Sequence, residues 1–175
     1  MASGLDNKLT GQIAEYLVCA ELGHLGLLAT PFAGNVPEFD LLVADRQCHS
    51  IPIQVKATRS ENWPGDARNW MNIEFDKSLG RQNYLGPLQL QNPDLIYVCV
   101  MIGKREPRTS DRFFILTKAD IQVASIQSYT KWMDPKDWRR PKNPESYDCR
   151  FDLSQISHFE NQWGLITNRL SSIAT

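Results

Sequence analysis

The feature that most constrains the fold is the stretch 37–58, in which two apolar-rich segments flank a short polar one. The apolar-rich segments span residues 38–44 and 50–57, and residues 45–49 lie between them. Strand-forming runs on either side of a short polar segment are typical of a β-hairpin, here with a loop of about five residues. The sequence therefore predicts two adjacent antiparallel strands.

The register of this hairpin follows from its hydrophobic pattern. A turn centred on Gln47 places Asp40 opposite Gln54 and Glu38 opposite Lys56, with opposed Cβ atoms about 4.5–5.5 Å apart. Because a slip of one residue would mix the two faces, the pattern itself specifies this pairing. The apolar side chains on the other face are Phe39, Leu41, Val43, Ile51, Ile53 and Val55.

Carboxylates, an amide and an ammonium on one strand face suit a metal-dependent phosphodiesterase. Mg²⁺ prefers oxygen ligands and retains several waters, so one or two carboxylates plus a substrate phosphate are enough to hold it. Asp40 is the predicted central ligand, with the Gln54 amide oxygen and the Val55 backbone carbonyl as further ligands. Lys56 would hold the attacking water or neutralise the pentavalent phosphorane, because electrostatic stabilisation often dominates such reactions.

At these residues the chain resembles the PD-(D/E)xK nuclease superfamily, which has the restriction-endonuclease-like fold. The acidic start of the first motif strand matches residues 38–40, EFD, and the (E/Q)-x-K motif matches residues 54–56, QVK. The upstream helical glutamate of the family matches Glu15 in the segment GQIAEYLVCAEL. The glutamine before the lysine is similar to that of Mrr-type restriction enzymes and of some relatives of archaeal Holliday-junction resolvases.

The resemblance implies an endonuclease that hydrolyses phosphodiester bonds of DNA, or of RNA, with Mg²⁺ or Mn²⁺ as its cofactor. The implied catalytic residues are Asp40, Gln54, Lys56 and Glu15, and the implied metal ligands are Asp40, Glu15, Val55 and Gln54. Gln54 departs from the commoner acidic residue and removes one negative charge from the metal site. The alternative function is therefore a catalytically inactive nuclease-fold module that binds nucleic acid or a protein partner.

Simpler roles stay open for the same side chains. A D…QxK pattern also occurs on ordinary solvated strand faces. Glu38 is either a metal ligand or the partner of Lys56 in a surface ion pair, which contributes little in water. Glu15 is either a site residue or a solvent-facing helical glutamate. A structural interaction protein unrelated to nucleases would leave these side chains unclustered.

A helix is predicted over residues 6–22, before the hairpin, with Asp6 as its candidate N-cap. Glu15 lies on the flank of its apolar stripe, and Gly11, one turn away, leaves room around the carboxylate. Apolar residues at spacings of three or four predict the buried face of an amphipathic helix. The members of this stripe are Leu9, Ile13, Leu17 and Ala20.

The remaining pattern indicates an α/β fold. The continuous apolar run 95–102, LIYVCVMI, is typical of a central buried strand. We expect a single nuclease-like domain over residues 1–175, with a restriction-endonuclease-like core: a mixed central β-sheet of about five strands, flanked by helices on both faces. Further strands are predicted at 70–75, 113–116 and 151–153, helices at 118–129 and 154–169, and irregular segments at 31–37, 59–69 and 76–92.

Residues 131–142 have the most unusual composition, because cations are interleaved with tryptophans and prolines. Such a segment suits a surface that tracks phosphates and stacks on bases. The alternative is a proline-rich loop whose tryptophans fill a gap in the core, and nearby acidic residues dilute the positive charge. The candidate nucleic-acid-binding residues are Lys131, Trp132, Trp138, Arg139, Arg140 and Lys142.

Charge and composition limit the remaining possibilities. The formal net charge is −1, whereas nucleic-acid binders are often basic, so contact with DNA must come from a local patch. The four cysteines contain no CxxC pair and predict neither a zinc knuckle nor a disulfide framework. Without a signal segment or an apolar run near the roughly 18 residues of a membrane span, the chain is expected to be cytoplasmic, without membrane contact. The resemblance to PD-(D/E)xK nucleases further implies a possible homodimer, and the weak overall charge suggests an accessory targeting subunit as a partner.

Overall fold

The computed structural model describes residues 4–32 and 38–173, so most of the turn predicted at 31–37 lies outside the described residues. The helices are α1 (Gly4–His24), α2 (Lys118–Met133), α3 (Leu153–Ile156) and α4 (Gly164–Ile173). The strands are β1 (Leu28–Pro31), β2 (Leu41–Ala44), β3 (Ser50–Thr58), β4 (Asn62–Asp66), β5 (Met71–Asp76), β6 (Arg81–Pro87), β7 (Ile96–Met101), β8 (Arg112–Thr117) and β9 (Asp148–Asp152). Within these ranges, none of the helices combines the length and hydrophobicity needed to cross a bilayer.

Five strands form a mixed central sheet in the order β1-β2-β3-β7-β8. β3 and β7 run parallel, whereas the other neighbouring pairs are antiparallel. All residues of β7 except Met101 are buried, because its neighbours in the sheet and the layers on both faces cover it. The predicted mixed sheet is confirmed.

Helices cover both faces of this sheet, so the predicted α/β architecture is also confirmed. α1 and α4 pack on one face, in a buried cluster that contains Val18 and Val98. α2 and α3 pack on the other face with two ribbons, β4–β9 and β5–β6, in a cluster that contains Cys99 and Ile121. Since successive strand residues point to opposite faces, adjacent residues of β7 belong to different clusters.

The hairpin pairs in the predicted register, with Leu41 opposite Ile53. Asp45 closes the connecting turn, because its carboxylate accepts hydrogen bonds from the backbone N–H groups of Gln47 and His49, each at 2.9 Å. The apolar face is buried against α1 and α4, as predicted. Its buried side chains are Leu41, Val43, Ile51, Ile53 and Val55.

The buried face of α1 differs from the predicted stripe. Ala14 and Val18 are completely buried, whereas Leu9 and Ile13 are 45% and 37% exposed. Of the predicted stripe, Leu17 packs against the core, but the fully buried face of α1 is the adjacent one, formed by Ala14, Val18 and Leu22. Glu15 follows Ala14 directly and therefore lies at the edge of the buried face.

Strands β4 and β6 lie within the segments predicted to be irregular, 59–69 and 76–92, whereas their partners β9 and β5 fall at the strands predicted at 151–153 and 70–75. β4 pairs with β9, and β5 pairs with β6. Proline and glycine in β4 and polar residues in β6 weaken the local strand signal. β4 forms because the distant β9 supplies its partner and β6 forms as a hairpin with β5, while Trp63 and Gln82 are buried.

Helix α2 begins as predicted, with Thr117 and Asp120 in a capping box. The long helix predicted at 154–169 is wrong, since α3 and α4 replace it. Asn161, between them, has a left-handed backbone with φ 56°. Asp152 caps α3, because its carboxylate accepts a hydrogen bond from the Ser154 backbone N–H at 3.0 Å.

Candidate functional site

Asp40 and Gln54 meet at the open end of the β2–β3 hairpin. The backbone N–H of Asp40 donates to the Ile53 carbonyl at 2.9 Å, so the pairing continues one residue before β2. Oδ2 of Asp40 accepts hydrogen bonds from the Gln54 side-chain amide and from the Val55 backbone N–H, the latter at 2.8 Å. These bonds fix the carboxylate against β3.

Several oxygen atoms at this position remain available to a ligand. Oδ1 of Asp40 accepts no hydrogen bond from the part of the chain that the structure describes. The Gln54 amide also donates to the Val55 carbonyl oxygen at 3.4 Å. Because an amide has an oxygen at one end and a nitrogen at the other, a half-turn of the Gln54 amide would present an acceptor instead of a donor.

Glu15 of α1 brings a second carboxylate near Asp40. Its side chain is half-buried and makes no hydrogen bond or ion pair with the described residues. Burial raises the pKa of Glu15, and the negative charge of Asp40 raises it further. The two carboxylates therefore repel each other, and a cation between them would relieve that repulsion.

Lys56 lies on the same face of β3, two residues beyond Gln54. Its side chain is exposed and forms no ion pair within residues 4–32 and 38–173. Burial raises the pKa of the neighbouring Cys99 thiol, and the Lys56 ammonium opposes that rise. The indole N–H of Trp63 donates to the Lys56 carbonyl at 3.3 Å, which anchors the backbone at this position.

Glu38 does not pair with Lys56 as the hairpin register predicted. Its φ of 79° turns the backbone away from the strand before β2 begins. Its carboxylate instead accepts a hydrogen bond from the Asn92 side chain at 3.3 Å. The alternative of an ion pair with Lys56 is therefore wrong, because the hairpin ends at Asp40.

Tyr97 adjoins the site, although the sequence gives no sign of it. The parallel pairing of β3 with β7 places Tyr97 beside Gln54. Burial raises the pKa of Tyr97 to about 12, with smaller contributions from Cys99, Asp40 and Glu38, so the phenol stays protonated near neutral pH. An apolar run predicts a strand but not its neighbour, so only the long-range topology could identify this contact.

The oxygen atoms at this site fit a hard divalent cation. In the described ranges, no group of three or more His, Cys, Asp or Glu side chains is arranged to hold a metal. A cation here would therefore rely on the carboxylates of Asp40 and Glu15, with neutral oxygens, waters and substrate completing its shell. Mg²⁺ is commonly held in this way.

Four of the predicted nucleic-acid-binding residues have exposed side chains, namely Lys131, Trp132, Arg139 and Lys142. The Trp132 ring is 40% exposed. Lys136 Nζ lies 4.5 Å and the Arg140 guanidinium 5.0 Å from the centre of this ring. This grouping keeps cations next to an accessible aromatic face.

Three of the predicted residues, including the exposed Arg139, make contacts within the protein. Trp138 stacks on Tyr84, with ring centres 5.6 Å apart. Arg139 pairs with Asp137, and Arg140 donates to the Asp148 carbonyl at 2.8 Å. These contacts agree with the alternative of a structural loop, while a role in nucleic-acid binding stays a prediction.

No protein-family model matches the chain, and no curated protein matches it. Among solved structures, the chain is similar to a bacterial homing endonuclease, I-Ssp6803I. The TM-score is 0.40 and the identity 17%, over 66% of this chain and 72% of that chain. A likeness at this level establishes neither a family nor a function.

Proposed function

We propose that the chain is a metal-dependent endonuclease that hydrolyses phosphodiester bonds of DNA. The observation that carries the proposal is the contact of Asp40 with Gln54, in a register that puts Lys56 on the same strand face. Glu15 adds a helical carboxylate whose pKa responds to Asp40. The resemblance to PD-(D/E)xK nucleases rests on the same four residues.

Asp40 and Glu15 would hold Mg²⁺ or Mn²⁺, with the Gln54 amide and the Val55 carbonyl as further oxygen ligands. When bound, such an ion acts as a Lewis acid toward the phosphate. The contribution of Asp40 is its fixed position, because two hydrogen bonds from β3 hold one of its oxygens. The contribution of Glu15 is a second negative charge, which the neutral Gln54 cannot supply.

Lys56 supplies a positive charge that no acidic side chain of the described residues neutralises. It would donate to a phosphate oxygen and stabilise the negative charge that develops there, or orient the attacking water. The Lys56 backbone belongs to β3 and accepts a hydrogen bond from the Trp63 indole. The position from which Lys56 reaches a phosphate is therefore restricted.

A catalytically inactive nuclease-fold module that binds nucleic acid or a protein partner is the second candidate. Gln54 favours it, because an amide in place of a carboxylate weakens the attraction for a cation. The formal net charge of −1 also provides little general attraction for DNA. Failure of the protein to bind Mn²⁺ in a calorimetric titration would support this candidate.

Nicking of supercoiled plasmid DNA tests the proposal. We expect the wild type to nick plasmid with Mg²⁺ or Mn²⁺ and to stop when a chelator is added. Lys56→Ala should lose about 100-fold or more in rate, since one electrostatic stabiliser is removed. Lys104→Ala, an exposed lysine after β7, is the matched control and should keep the wild-type rate.

Two results would count against the proposal. A wild type without metal-dependent nicking would favour the inactive module, and an unchanged rate in Lys56→Ala would exclude the proposed role of this lysine. The same assay with a structured RNA in place of plasmid distinguishes a DNA-directed enzyme from an RNA-directed one.

A further inference from the structure

A small cavity lies behind Lys56, on the α2 side of the central sheet, and its volume is about 120 Å³. The exposed lining residues form its rim and are Lys56, Pro64, Gly65 and Asn69. The buried lining residues form its walls and include Trp63, Trp70, Tyr97, Ser125, Cys149 and Phe151. Because Lys56 and Tyr97 also belong to the candidate site, the cavity adjoins the place where a phosphate would bind.

Ser125 of α2 is the polar group that the cavity leaves unsatisfied. Its side chain is completely buried, and its hydroxyl has no hydrogen-bond partner among the described residues. Buried hydroxyl groups in proteins are nearly always hydrogen-bonded, because an unpaired one loses its interaction with water without compensation. A ligand that carries a hydrogen-bonding edge into the cavity would satisfy Ser125.

The size of the cavity limits this ligand to about one six-membered ring. An engineered cavity of about 150 Å³ in another protein holds benzene, and pockets for drug-sized molecules are about 300 Å³ or larger. The walls are mainly aromatic, with Trp63 stacked on Phe151 at 5.6 Å between ring centres. A flat ring with a polar edge therefore fits both the volume and the chemistry of the walls.

The walls also favour a ligand without charge. Burial raises the pKa of the Cys149 thiol to about 12, and nearby Asp66 and Asp148 add to this rise, so the thiol stays neutral. The one cationic side chain among the lining residues is that of Lys56, at the rim. A neutral ring inside and an anionic phosphate at the rim match this distribution.

We propose that the cavity binds a pyrimidine base of the substrate, from the nucleotide whose phosphate lies at Lys56, with the Ser125 hydroxyl hydrogen-bonded to the polar edge of the base. The inference rests on the proposed nuclease function and adds a base preference to it. A purine, with two fused rings, exceeds the volume of the cavity. The base must leave its stack to enter, so single-stranded or distorted DNA is the favoured substrate, because unstacking a paired base costs more.

Binding of fluorescently labelled single-stranded 12-mers, (dT)₁₂ and (dA)₁₂, tests this inference by fluorescence anisotropy in a chelator, where no cleavage occurs. We expect the wild type to bind (dT)₁₂ about tenfold more tightly than (dA)₁₂. Ser125→Val fills part of the cavity and removes the hydroxyl, so the two affinities should become equal. Ser128→Ala, one turn further along α2, does not line the cavity and should keep the preference.

Gly65→Ala provides a second variant that does not depend on the packing of α2. A Cβ at Gly65 would lie 3.7 Å from Cys149 Sγ and 3.8 Å from Trp70 Nε1, which are ordinary contacts, so the variant should fold while narrowing the rim. It should reduce the preference for (dT)₁₂ as Ser125→Val does. Equal binding of both oligomers by the wild type, or a preference that both variants keep, would overturn the base pocket and leave ordered water as the occupant.

Failure of this inference is distinguishable from failure of the proposed function. A protein that nicks plasmid but binds both oligomers equally lacks the base pocket and remains a nuclease. If the protein nicks no substrate and binds both oligomers weakly and equally, both the proposed function and the base pocket are wrong.

Discussion

The carboxylate of Glu15 makes the most specific prediction at the residue scale. Its pKa is raised in the folded protein, so the folded state binds this proton more tightly than the unfolded state does. The stabilisation from protonated Glu15 is fully present below 4.5, the ordinary pKa of this carboxyl group. It is lost as the pH rises through the higher pKa that Glu15 has in the folded protein. Ionised Glu15 therefore destabilises the metal-free protein at neutral pH.

We expect Glu15→Gln to unfold at a higher temperature than the wild type at pH 7 without metal. The gain should be about 0.5 kcal/mol after allowance for solvent screening, or about 1–2 °C. The difference should shrink below about pH 4, where the wild-type carboxyl is also protonated. Thermal unfolding followed by circular dichroism across this range measures it, with Glu21→Gln on the same helix as the control. A gain that is absent, or independent of pH, would contradict repulsion between Glu15 and Asp40.

At the scale of elements, the hairpin was predictable because its pattern alternates over both strands and only one register keeps the faces separate. The register brings Asp40 against Gln54, as the sequence indicates. The position of Tyr97 beside Gln54 was not predictable, because nothing in the hairpin sequence indicates which strand pairs with β3. The same limit explains β4, which becomes a strand because the distant β9 pairs with it, whereas β6 was missed because its residues are poor strand formers, although its partner β5 is next to it in the sequence.

The buried amide of Gln82 in β6 fixes the position of the residues on either side of the segment 131–142. It donates to the carbonyl oxygens of Pro144 and Ser146 at 3.0 and 2.8 Å, and it accepts a hydrogen bond from the Tyr129 hydroxyl at 2.6 Å. Gln82→Leu would leave these partners unpaired and should cost about 2–4 kcal/mol in the free energy of unfolding. Urea unfolding measures the loss, with exposed Gln127→Leu as the control, and a loss below about 1 kcal/mol would contradict this role.

At the scale of the whole molecule, the formal net charge is −1, so any attraction for DNA must come from local groups of positively charged side chains. The exposed lysines of the segment 131–142 are Lys131 and Lys142, whereas Arg139 is already paired with Asp137. The double variant Lys131→Ala/Lys142→Ala should bind DNA more weakly and reduce the slope of log affinity against log salt by about 2, since each phosphate contact contributes about 0.9.

Binding titrations at several salt concentrations measure this slope. The double variant Lys77→Ala/Lys104→Ala, which removes two exposed lysines elsewhere, is the matched control. If both double variants change the slope equally, the segment 131–142 is not the DNA-binding surface, and its cations serve the structural contacts of the loop.

Asp40 is proposed to hold the catalytic metal. Metal-dependent plasmid nicking by Asp40→Asn tests this role. The substitution keeps the shape of the side chain and removes its charge, and thermal unfolding checks that the fold is retained. Asp94→Asn, an exposed aspartate before β7, is the control. We expect wild type and Asp94→Asn to nick plasmid with Mg²⁺ or Mn²⁺, whereas folded Asp40→Asn should not. Full nicking by Asp40→Asn would contradict the proposed role of Asp40.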